Sequence, residues 1–437
     1  MKRINAGVIG FGTVGTGVVK LLTESRELIS SRIGAELCLK YVVDLDIKTD
    51  RGVRLDEGVL VTDVERVLSD PDVDMVVELI GGETTAKTII LKAIENGKHV
   101  ITANKALLAG SGPEIFAAAA RARVDIGFEA SVAGCIPIIK AIKESLAANR
   151  IHSVSGILNG TCNYILSKIT SEGTCFDEAL KNAQEKGYAE ADPTLDIEGI
   201  DAAHKLAILT GLAYGMTINL DDIYVEGIKG IAVEDIRHAE QLGYRVKLLA
   251  ISRHVGDAVE ARVHPTMIPF NNLFASVNDS VNAVNVKGDA AGDMFFVGRG
   301  AGMMPTASAV VSDMIDISRN IMSCTSQRVP LLSYCNENIR TIPVLPMDDV
   351  CSRYYFRFTA DDRPGVLSTI SGILGTYGIS IKSVQQAEEH DENQVPIVMV
   401  TGPARESDVK KAISDINKLS ITDGKTVLIR IGEDAGV

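Results

Sequence analysis

The stretch VIGFGTVGTGVV, Val8–Val19, places three glycines at GxGxxG spacing between an apolar β run and a segment with helical periodicity. In such a turn Gly10 permits the tight bend, Gly12 lets a pyrophosphate approach the backbone, and Gly15 lets helix and strand pack closely. The following helix points its N-terminus at the anion. A glycine-rich turn without a ligand is the alternative, but the flanking strand, helix and N-terminal position favour a dinucleotide site. The residues expected to contact the dinucleotide are Gly10, Phe11, Gly12, Thr13, Val14 and Gly15.

Outward from this loop, residues 4–130 alternate strand-like and helix-like patterns. The runs LCLKYVVD, DMVVELI and HVITA are apolar and β-like, and TAKTIILKAIENG has helical spacing and ends at Gly97, a typical helix cap. Repeated βα units predict an α/β fold, in which a parallel sheet carries helices on both faces as in a Rossmann domain.

The rest of the chain changes character twice. A helix-rich, acid-rich stretch is followed by β-like runs and one more helix, and then by a proline-containing segment with little pattern. From Tyr354 the order becomes βαββαβ, a compact α+β unit. We predict a dinucleotide-binding domain over 1–136, an α+β domain over 137–325, a linker over 326–352 and a C-terminal domain over 353–437. We also expect the helix near 303–320 to pack back on the first domain.

Composition excludes several classes of protein. The 437 residues contain no apolar run of 18 or more, which argues against a membrane span. The formal net charge is −13 with no basic stripe, so nucleic acid is not an expected partner. Seven cysteines without a CxxC pair indicate free thiols in a reducing cytoplasm.

The preferred cofactor stays open between NAD and NADP. Asp44 ends the second β run, where a carboxylate accepts the ribose hydroxyls of NAD and repels a 2′-phosphate. Lys48 and Arg51 follow closely, however, and either could neutralise that phosphate. Lys105 comes just after the fifth strand, at the edge where open α/β sheets bind ligands, and would either meet an anionic group there or lie in solvent at a helix start.

The stretch GYAEADPTLDIEGIDAAHK, Gly187–Lys205, gathers acids before one lysine. Asp192 before a proline is a good helix start, and Gly199 interrupts before a second helix. Asp201 and Lys205 are four residues apart and share a helix face. These charges are either a solvated helix start or a pocket for an ammonium group with a lysine that handles a proton.

Several motifs in order along the chain resemble those of homoserine dehydrogenase. They are the GxGxxG loop, TANK at 102–105, LNGTCNYIL at 158–166, the acidic stretch, and GRGAGMMPTASAVVSD at 298–313. The final unit, with DDRPGVLSTI at 361–370, resembles an ACT domain, a small regulatory fold that often binds amino acids. The resemblance implies NAD(P)-dependent interconversion of L-aspartate 4-semialdehyde and L-homoserine, and it implies that the 137–325 domain is both catalytic and dimerising.

The resemblance also implies roles for single residues. Glu190 would bind the substrate ammonium, with Asp196 and Asp201 lining the same pocket, and Lys205 would donate a proton to the carbonyl oxygen. Lys105 would lie between cofactor and substrate. The remaining implied contacts are to the cofactor, from Gly187, and to a sodium ion, from oxygens of Glu129, Val132, Gly134 and Ile136. In addition, the glycine-rich turn that ends at Gly302 could close over the nicotinamide.

Other readings stay open. Ser380 stands where many effector-binding ACT domains have Asn, so the C-terminal domain either binds threonine or only dimerises. A homodimer or homotetramer is implied by the family. A related amino-acid dehydrogenase and a non-catalytic regulator that binds nucleotide and amino acid are the competing functions. The joint presence of Glu190, Asp201, Lys205 and Lys105 argues against the regulator.

Overall fold

A computed structural model describes residues 2–386 and 394–432, and the end of the predicted last domain, 433–437, lies outside them. The chain divides into two compact units, each built from three segments. The first unit comprises Met1–Val154, His204–Leu220 and Val281–Ile342. The second comprises Ser155–Ala203, Asp221–Ser280 and Pro343–Val437.

The strands and helices of the described residues follow the sequence patterns closely. The strands are β1 (Arg3–Ile9), β2 (Glu36–Val43), β3 (Leu60–Val61), β4 (Met75–Glu78), β5 (His99–Thr102), β6 (Ile126–Gly127), β7 (Ile151–Ile157), β8 (Tyr224–Val225), β9 (Tyr244–Val255), β10 (Ala258–Pro269), β11 (Val281–Gly288), β12 (Gly292–Arg299), β13 (Cys351–Asp361), β14 (Ile381–Gln386), β15 (Gln394–Thr401), β16 (Ala404–Arg405) and β17 (Thr422–Ile431). The helices are α1 (Thr13–Glu24), α2 (Arg26–Ile33), α3 (Glu65–Leu68), α4 (Thr84–Glu95), α5 (Lys105–Ala122), α6 (Ile138–Lys140), α7 (Gly160–Glu172), α8 (Phe176–Glu185), α9 (Thr194–Ile197), α10 (Ile200–Tyr214), α11 (Val233–Gln241), α12 (Met303–Met322), α13 (Val366–Thr376) and α14 (Glu406–Ile416).

The first unit contains a six-stranded sheet in the order β3-β2-β1-β4-β5-β6. Its strands run parallel, and β1 lies between β2 and β4, so the strand order reverses beside β1. This confirms the predicted Rossmann arrangement. Cross-strand partners at the carboxyl edge are Val43 with Ile9, Ile9 with Glu78, and Glu78 with Thr102. The turns that follow these four residues therefore emerge side by side, where a doubly wound sheet binds its ligand.

Helix α12 belongs to the core of this first unit although it comes almost two hundred residues after the sheet. Its Ala307, Val310 and Met314 are fully buried in one cluster with Val8 of β1 and Val18 of α1. A Cβ on Gly17 of α1 would come within 2.9 Å of Ala307 Cβ, so glycine at this position lets the two helices approach closely.

The second unit is built on a sheet in which β9 and β10 form a long antiparallel hairpin. Strand β17 pairs in parallel with β10 through Thr266 and Arg430, and the order continues as β17-β13-β15-β14. Strands β13, β14, β15 and β17 with the helices α13 and α14 confirm the predicted βαββαβ order, and the two-residue β16 is an addition between β15 and α14. Their core includes Tyr354, Phe356 and Phe358 of β13, each at most 1% exposed.

Helix α10 carries residues of both units, because the division falls between Ala203 and His204. Gly199 adopts a left-handed backbone (φ +83°) and separates α9 from α10, as predicted. Ala202, Leu206 and Leu209 of α10 are at most 1% exposed and form a buried apolar stripe at helical spacing. No helix in the described part of the chain combines the length and apolar character that a bilayer crossing requires.

Candidate active site

The glycine loop has the geometry that its spacing predicts. Gly10 has φ +103°, and a Cβ there would lie 2.7 Å from the carbonyl carbon of Leu79. A Cβ on Gly15 would overlap the carbonyl oxygen of Gly10, so only glycine fits where α1 packs on the turn. Within 4 Å of the Cβ position of Gly12 there is open space. An open backbone at the N-terminus of α1 is suited to a pyrophosphate.

Asp44 lies directly beside this loop. One oxygen of its carboxylate accepts a hydrogen bond from the Phe11 N–H at 2.7 Å, and the other accepts one from the Asp46 N–H at 2.9 Å. The Arg51 guanidinium lies 3.6 Å from Asp44 Oδ1 and 4.9 Å from the centre of the Phe11 ring. Asp44 and Arg51 thus lie next to each other at the end of β2, as predicted. The negative charge of Asp44 favours NAD, whereas the positive charge of Arg51 favours NADP.

Lys105 is the first residue of α5, directly after β5. Asn104 is the N-cap of this helix, because its side-chain oxygen accepts from the Leu107 N–H at 3.1 Å. The Asn104 amide also donates to the Gly82 carbonyl at 2.5 Å, which ties the start of α5 to the turn after β4. Lys105 therefore begins a capped helix at the ligand-binding edge of the sheet.

A buried carboxylate that the sequence analysis did not single out lies between these turns. Glu78, the last residue of β4, is 0% exposed and accepts from the Thr102 hydroxyl at 2.7 Å. The signal was present in the sequence, because Glu78 is the second acid of the otherwise apolar run DMVVELI and lies inside it. A charged residue inside an otherwise apolar strand is seldom fully buried unless it has hydrogen-bond partners.

In the second unit, Asn159 brings two of the predicted pocket acids together. Its side-chain nitrogen donates to Asp196 Oδ1 at 2.7 Å and to Asp201 Oδ2 at 2.8 Å. The Thr161 hydroxyl lies 3.0 Å from the other oxygen of Asp196 and donates to the Tyr188 carbonyl at 2.6 Å. Asn159, Thr161 and Asp201 are each less than 10% exposed. Asn159 also caps α7 by accepting from the Cys162 N–H at 2.8 Å.

The turn between α8 and α9 carries the remaining predicted acids. Gly187 follows α8 with φ +72°, and a Cβ there would meet no atom within 4 Å. Glu190 is exposed, and its carbonyl accepts from the Gln184 amide at 3.1 Å. Asp192 accepts from the backbone N–H of Thr194 at 3.1 Å, but the N-cap of α9 is Pro193, so the helix begins one residue later than an N-cap at Asp192 would have it. Hydrogen bonding to Thr194 holds the pKa of Asp192 below its ordinary value.

Lys205 lies on α10, four residues after Asp201, and is 9% exposed. The α10 helix places both residues on one face by its periodicity. His204, next to Lys205 on α10, is half-buried.

The segment 129–136 is held by two carboxylates in the first unit. The Glu129 carboxylate accepts from the N–H groups of Ile139 and Lys140 at 2.8 and 2.9 Å. Asp313 of α12 accepts from the Glu129 N–H at 2.8 Å. Burial, and then the charge of Asp313, raise the pKa of Glu129 to about 7. Ala133 and Gly134 follow each other with φ +53° and +58°, which bends the segment sharply.

This bend packs on the second glycine turn. The Cys135 N–H donates to the Arg299 carbonyl at 3.2 Å, and a Cβ on Gly134 would lie 2.5 Å from the Gly300 carbonyl oxygen. Gly302 ends the turn as the N-cap of α12, with φ +119°. Among residues 2–386 and 394–432, no group of three or more His, Cys, Asp or Glu side chains could hold a metal ion.

The sheet order, the glycine loop and the carboxylate at the end of β2 define a dinucleotide-binding α/β protein with an added βαββαβ domain. Comparison with known proteins is more specific. The family model for the NAD-binding domain of homoserine dehydrogenase matches residues 10–129, the homoserine dehydrogenase model matches 137–315, and the ACT domain model matches 354–418. The chain belongs to the homoserine dehydrogenase family and acts as an NAD(P)-dependent oxidoreductase on homoserine.

Individual relatives agree over the full length. The homoserine dehydrogenase of Neisseria gonorrhoeae is 46% identical over 431 residues, which is 99% of each chain. That of Pseudomonas aeruginosa is 45% identical over 434 residues, again 99% of each. The crystal structure of a homoserine dehydrogenase from Thiobacillus denitrificans has a TM-score of 0.94 at 47% identity and covers 100% of this chain and 99% of its own. A hyperthermophilic archaeal homoserine dehydrogenase in complex with NADPH has a TM-score of 0.61 at 25% identity and covers 72% of this chain and 98% of its own.

Proposed function

We propose that the acids around Asn159 receive the ammonium group of homoserine or aspartate semialdehyde. The observation that carries this proposal is the single Asn159 amide nitrogen that lies within 2.8 Å of both Asp196 and Asp201. Two carboxylates this close repel each other, so a cation nearby stabilises them both. Glu190, exposed on the adjoining turn, completes the set of acids by its match to the family's substrate-binding glutamate.

Lys205 and Lys105 supply the positive charges in this proposal. A lysine is protonated near neutral pH and can polarise a carbonyl oxygen and donate a proton to it, directly or through a water. Lys205 has this role, and Lys105 contacts both the substrate and the cofactor. The nicotinamide cofactor supplies the hydride when it is bound. Gly12 would let its pyrophosphate approach the backbone in the turn that Gly10 and Gly15 shape, and Gly187 and Gly302 would complete the cofactor contacts.

The proposed role of Lys205 is tested by Lys205→Ala, with reduced-cofactor absorbance as the readout. We expect kcat to fall by roughly 100-fold to 10,000-fold, the range for a lost general acid, while KM stays within a few-fold. Lys181→Ala is the matched control, because Lys181 is exposed and its ion pair with Glu185, at 3.9 Å on the surface, is a weak one. A rise in KM with an intact hydride step would contradict the role of Lys205.

For the cofactor, we propose that the chain accepts NADP as well as NAD. Asp44 already accepts two backbone hydrogen bonds, and the neighbouring Arg51 offsets its charge. This arrangement supports tolerance of a 2′-phosphate. Lys48 is exposed on the same loop and serves as a comparison residue.

A sodium ion is proposed to bind to oxygens of Glu129, Val132, Gly134 and Ile136. Hard monovalent and divalent cations take oxygen ligands, and the backbone oxygens of Val132, Gly134 and Ile136 are such donors. A cation near Glu129 would also favour the ionised form that burial disfavours. We expect sodium chloride to raise the thermal midpoint more than choline chloride does at equal ionic strength. Equal midpoints in the two salts would remove sodium from the proposal.

The C-terminal domain is proposed to bind an amino acid effector such as threonine. Its first strand–helix turn ends at Gly365, which has φ +92° and caps α13. Inhibition by threonine in the cofactor assay tests this role; without inhibition the domain only dimerises. A homodimer or homotetramer and a cytoplasmic location complete the proposal, the latter supported by the lack of a CxxC pair among the seven cysteines of the sequence.

A further inference from the structure

The buried Glu78 carboxylate organises the turn that follows its own strand. Besides the Thr102 hydroxyl, it accepts from the backbone N–H groups of Ile80 at 2.9 Å and Gly81 at 3.2 Å. Burial raises the pKa of Glu78 above its ordinary value, and the three donors favour the ionised form in return. A carboxylate is the group that can accept all three, because it has two oxygens and no hydrogen to donate.

Thr102 extends this hydrogen-bond network from β4 to the neighbouring strand β5. Its hydroxyl donates to Glu78 and accepts from the Asn104 N–H at 3.0 Å. Asn104 in turn caps α5, whose first residue is Lys105, and its amide returns to the Gly82 carbonyl. The turn after β4 and the turn after β5 are therefore joined by hydrogen bonds at both ends.

The turn after β4 also packs on the nucleotide loop. The Leu79 N–H donates to the Ile9 carbonyl at 2.8 Å, and the Leu79–Ile80 peptide occupies the space where Gly10 would otherwise carry a Cβ. A displacement of the 79–82 turn would thus change the packing against Gly10 on one side and the hydrogen bond with Asn104 on the other.

We propose that Glu78 and Thr102 are positioning residues that fix the Lys105 turn relative to the Gly10 nucleotide loop. They touch neither substrate nor cofactor in this proposal and act through the placement of Lys105, so the inference rests on the proposed role of that lysine. A misplacement of about 1 Å in an aligned site can cost on the order of 100-fold in rate. The loss of the Thr102 hydroxyl removes the donor to Oε2 of Glu78 and the acceptor of the Asn104 N–H, and buried groups that lose a partner shift to find another.

The test compares Thr102→Val with Thr102→Ser in the full-length protein. Valine keeps the shape of threonine but lacks the hydroxyl, whereas serine keeps the hydroxyl. For Thr102→Val we expect kcat to fall about 10-fold to 100-fold, while the Kd of the reduced cofactor, followed by its fluorescence, changes less than about 3-fold. Thr102→Ser should recover most of the lost rate. Equal rates for Thr102→Val and the unsubstituted protein would overturn the proposal.

The Lys105→Ala background separates positioning from general stability. If Thr102 acts through Lys105, adding Thr102→Val to Lys105→Ala lowers kcat no further, although the thermal midpoint still drops. A full additional loss of rate in that background would mean that Thr102 acts by another route, and the proposal would be wrong.

Glu78→Gln provides a second entry to the same connection. Its amide presents a hydrogen donor where an acceptor is needed, so it should slow the reaction like Thr102→Val, and the double variant should be no slower than the slower single variant. If Thr102→Val does not fold, Glu78→Gln and Thr102→Ala are measured instead. A wild-type rate in Lys105→Ala would overturn the proposed role of Lys105 and this inference together. A slow Lys105→Ala with fast Thr102→Val and Glu78→Gln would overturn the inference alone.

Discussion

The side-chain nitrogen of Asn159 lies 2.8 Å from a carboxylate oxygen of Asp201, while the side-chain oxygen of the same residue caps helix α7. The Asn159 nitrogen also donates to Asp196. One side-chain amide thus has two roles: its oxygen caps a helix, and its nitrogen holds the two acids together. These two tasks can be separated by substitution, since capping needs only an acceptor and the contact with the acids needs a donor.

Asn159→Ser keeps a good N-cap and removes the amide donor. We expect KM for homoserine to rise about 10-fold, which corresponds to the loss of one hydrogen bond to a charged group, with a thermal midpoint close to that of the unsubstituted protein. Asn159→Ala loses the cap as well and should unfold about 1 kcal/mol more easily. Steady-state kinetics and chemical denaturation distinguish these effects. An unchanged KM in Asn159→Ser would show that the acids need no bridge.

A helix cap at Asn159 is a feature that sequence can reveal, whereas its link between the two acids is not. Capping depends on residues three positions apart, which a pattern displays, whereas Asp196 and Asp201 are 37 and 42 residues away. Glu78 was missed for a similar reason, because its partner Thr102 lies on a neighbouring strand and only the sheet register brings them together. Gly10, Gly15 and Gly199 were predictable, because each responds to a local backbone requirement.

Arg51 gives a prediction on cofactor preference. Arg51→Ala removes the guanidinium that lies 3.6 Å from Asp44 and leaves the carboxylate to repel a 2′-phosphate. We expect kcat/KM with NADP to fall roughly 10-fold or more, the loss of a charge-assisted contact, and kcat/KM with NAD to change little. The ratio of the two values is the measurement, with Lys48→Ala as control. A parallel fall with both cofactors would assign Arg51 to the support of the loop instead.

Lys247 gives a prediction on the pH dependence of stability. It is 1% exposed, and its ammonium meets neutral oxygens, those of Asn163 at 3.0 Å and the Val277 carbonyl among them. Burial, and then the charge of Arg245, lower the pKa of Lys247 to about 7. The unfolded chain keeps its proton up to about pH 10.4. Between these values the unfolded state binds more protons, so this residue makes the protein more stable as pH rises.

The size of that effect follows from linkage. The slope of the unfolding free energy should approach about 1.4 kcal/mol per pH unit above pH 7 from this group alone. Lys247→Met removes this titrating group. The free energy of unfolding of the unsubstituted protein minus that of Lys247→Met should therefore increase with pH between about 7 and 9. Denaturation at several pH values checks this. A constant difference over that range would mean that the amine is neutral or charged in both states.

The last prediction concerns the attachment of the C-terminal strands to α11 within the second unit. Asp235 of α11 is 0% exposed and accepts from Arg357 of β13 through Nε at 2.6 Å and a terminal nitrogen at 3.0 Å, and from the Tyr355 hydroxyl at 3.0 Å. Removing one partner of a buried pair leaves an uncompensated charge, at a cost of about 3–5 kcal/mol. Arg357→Met should destabilise the protein by that amount, and adding Asp235→Asn should restore part of it.

Arg363→Met is the control, because Arg363 and Asp361 are exposed at 55% and 38% and such pairs contribute about 1 kcal/mol at most. Similar losses from Arg357→Met and Arg363→Met would contradict the buried pair as a link between β13 and α11. An effector bound to the C-terminal domain can affect α11 only if the contacts between β13 and α11 keep their geometry. Arg357→Met should therefore also weaken any inhibition by threonine. The rate without threonine should stay close to that of the unsubstituted protein.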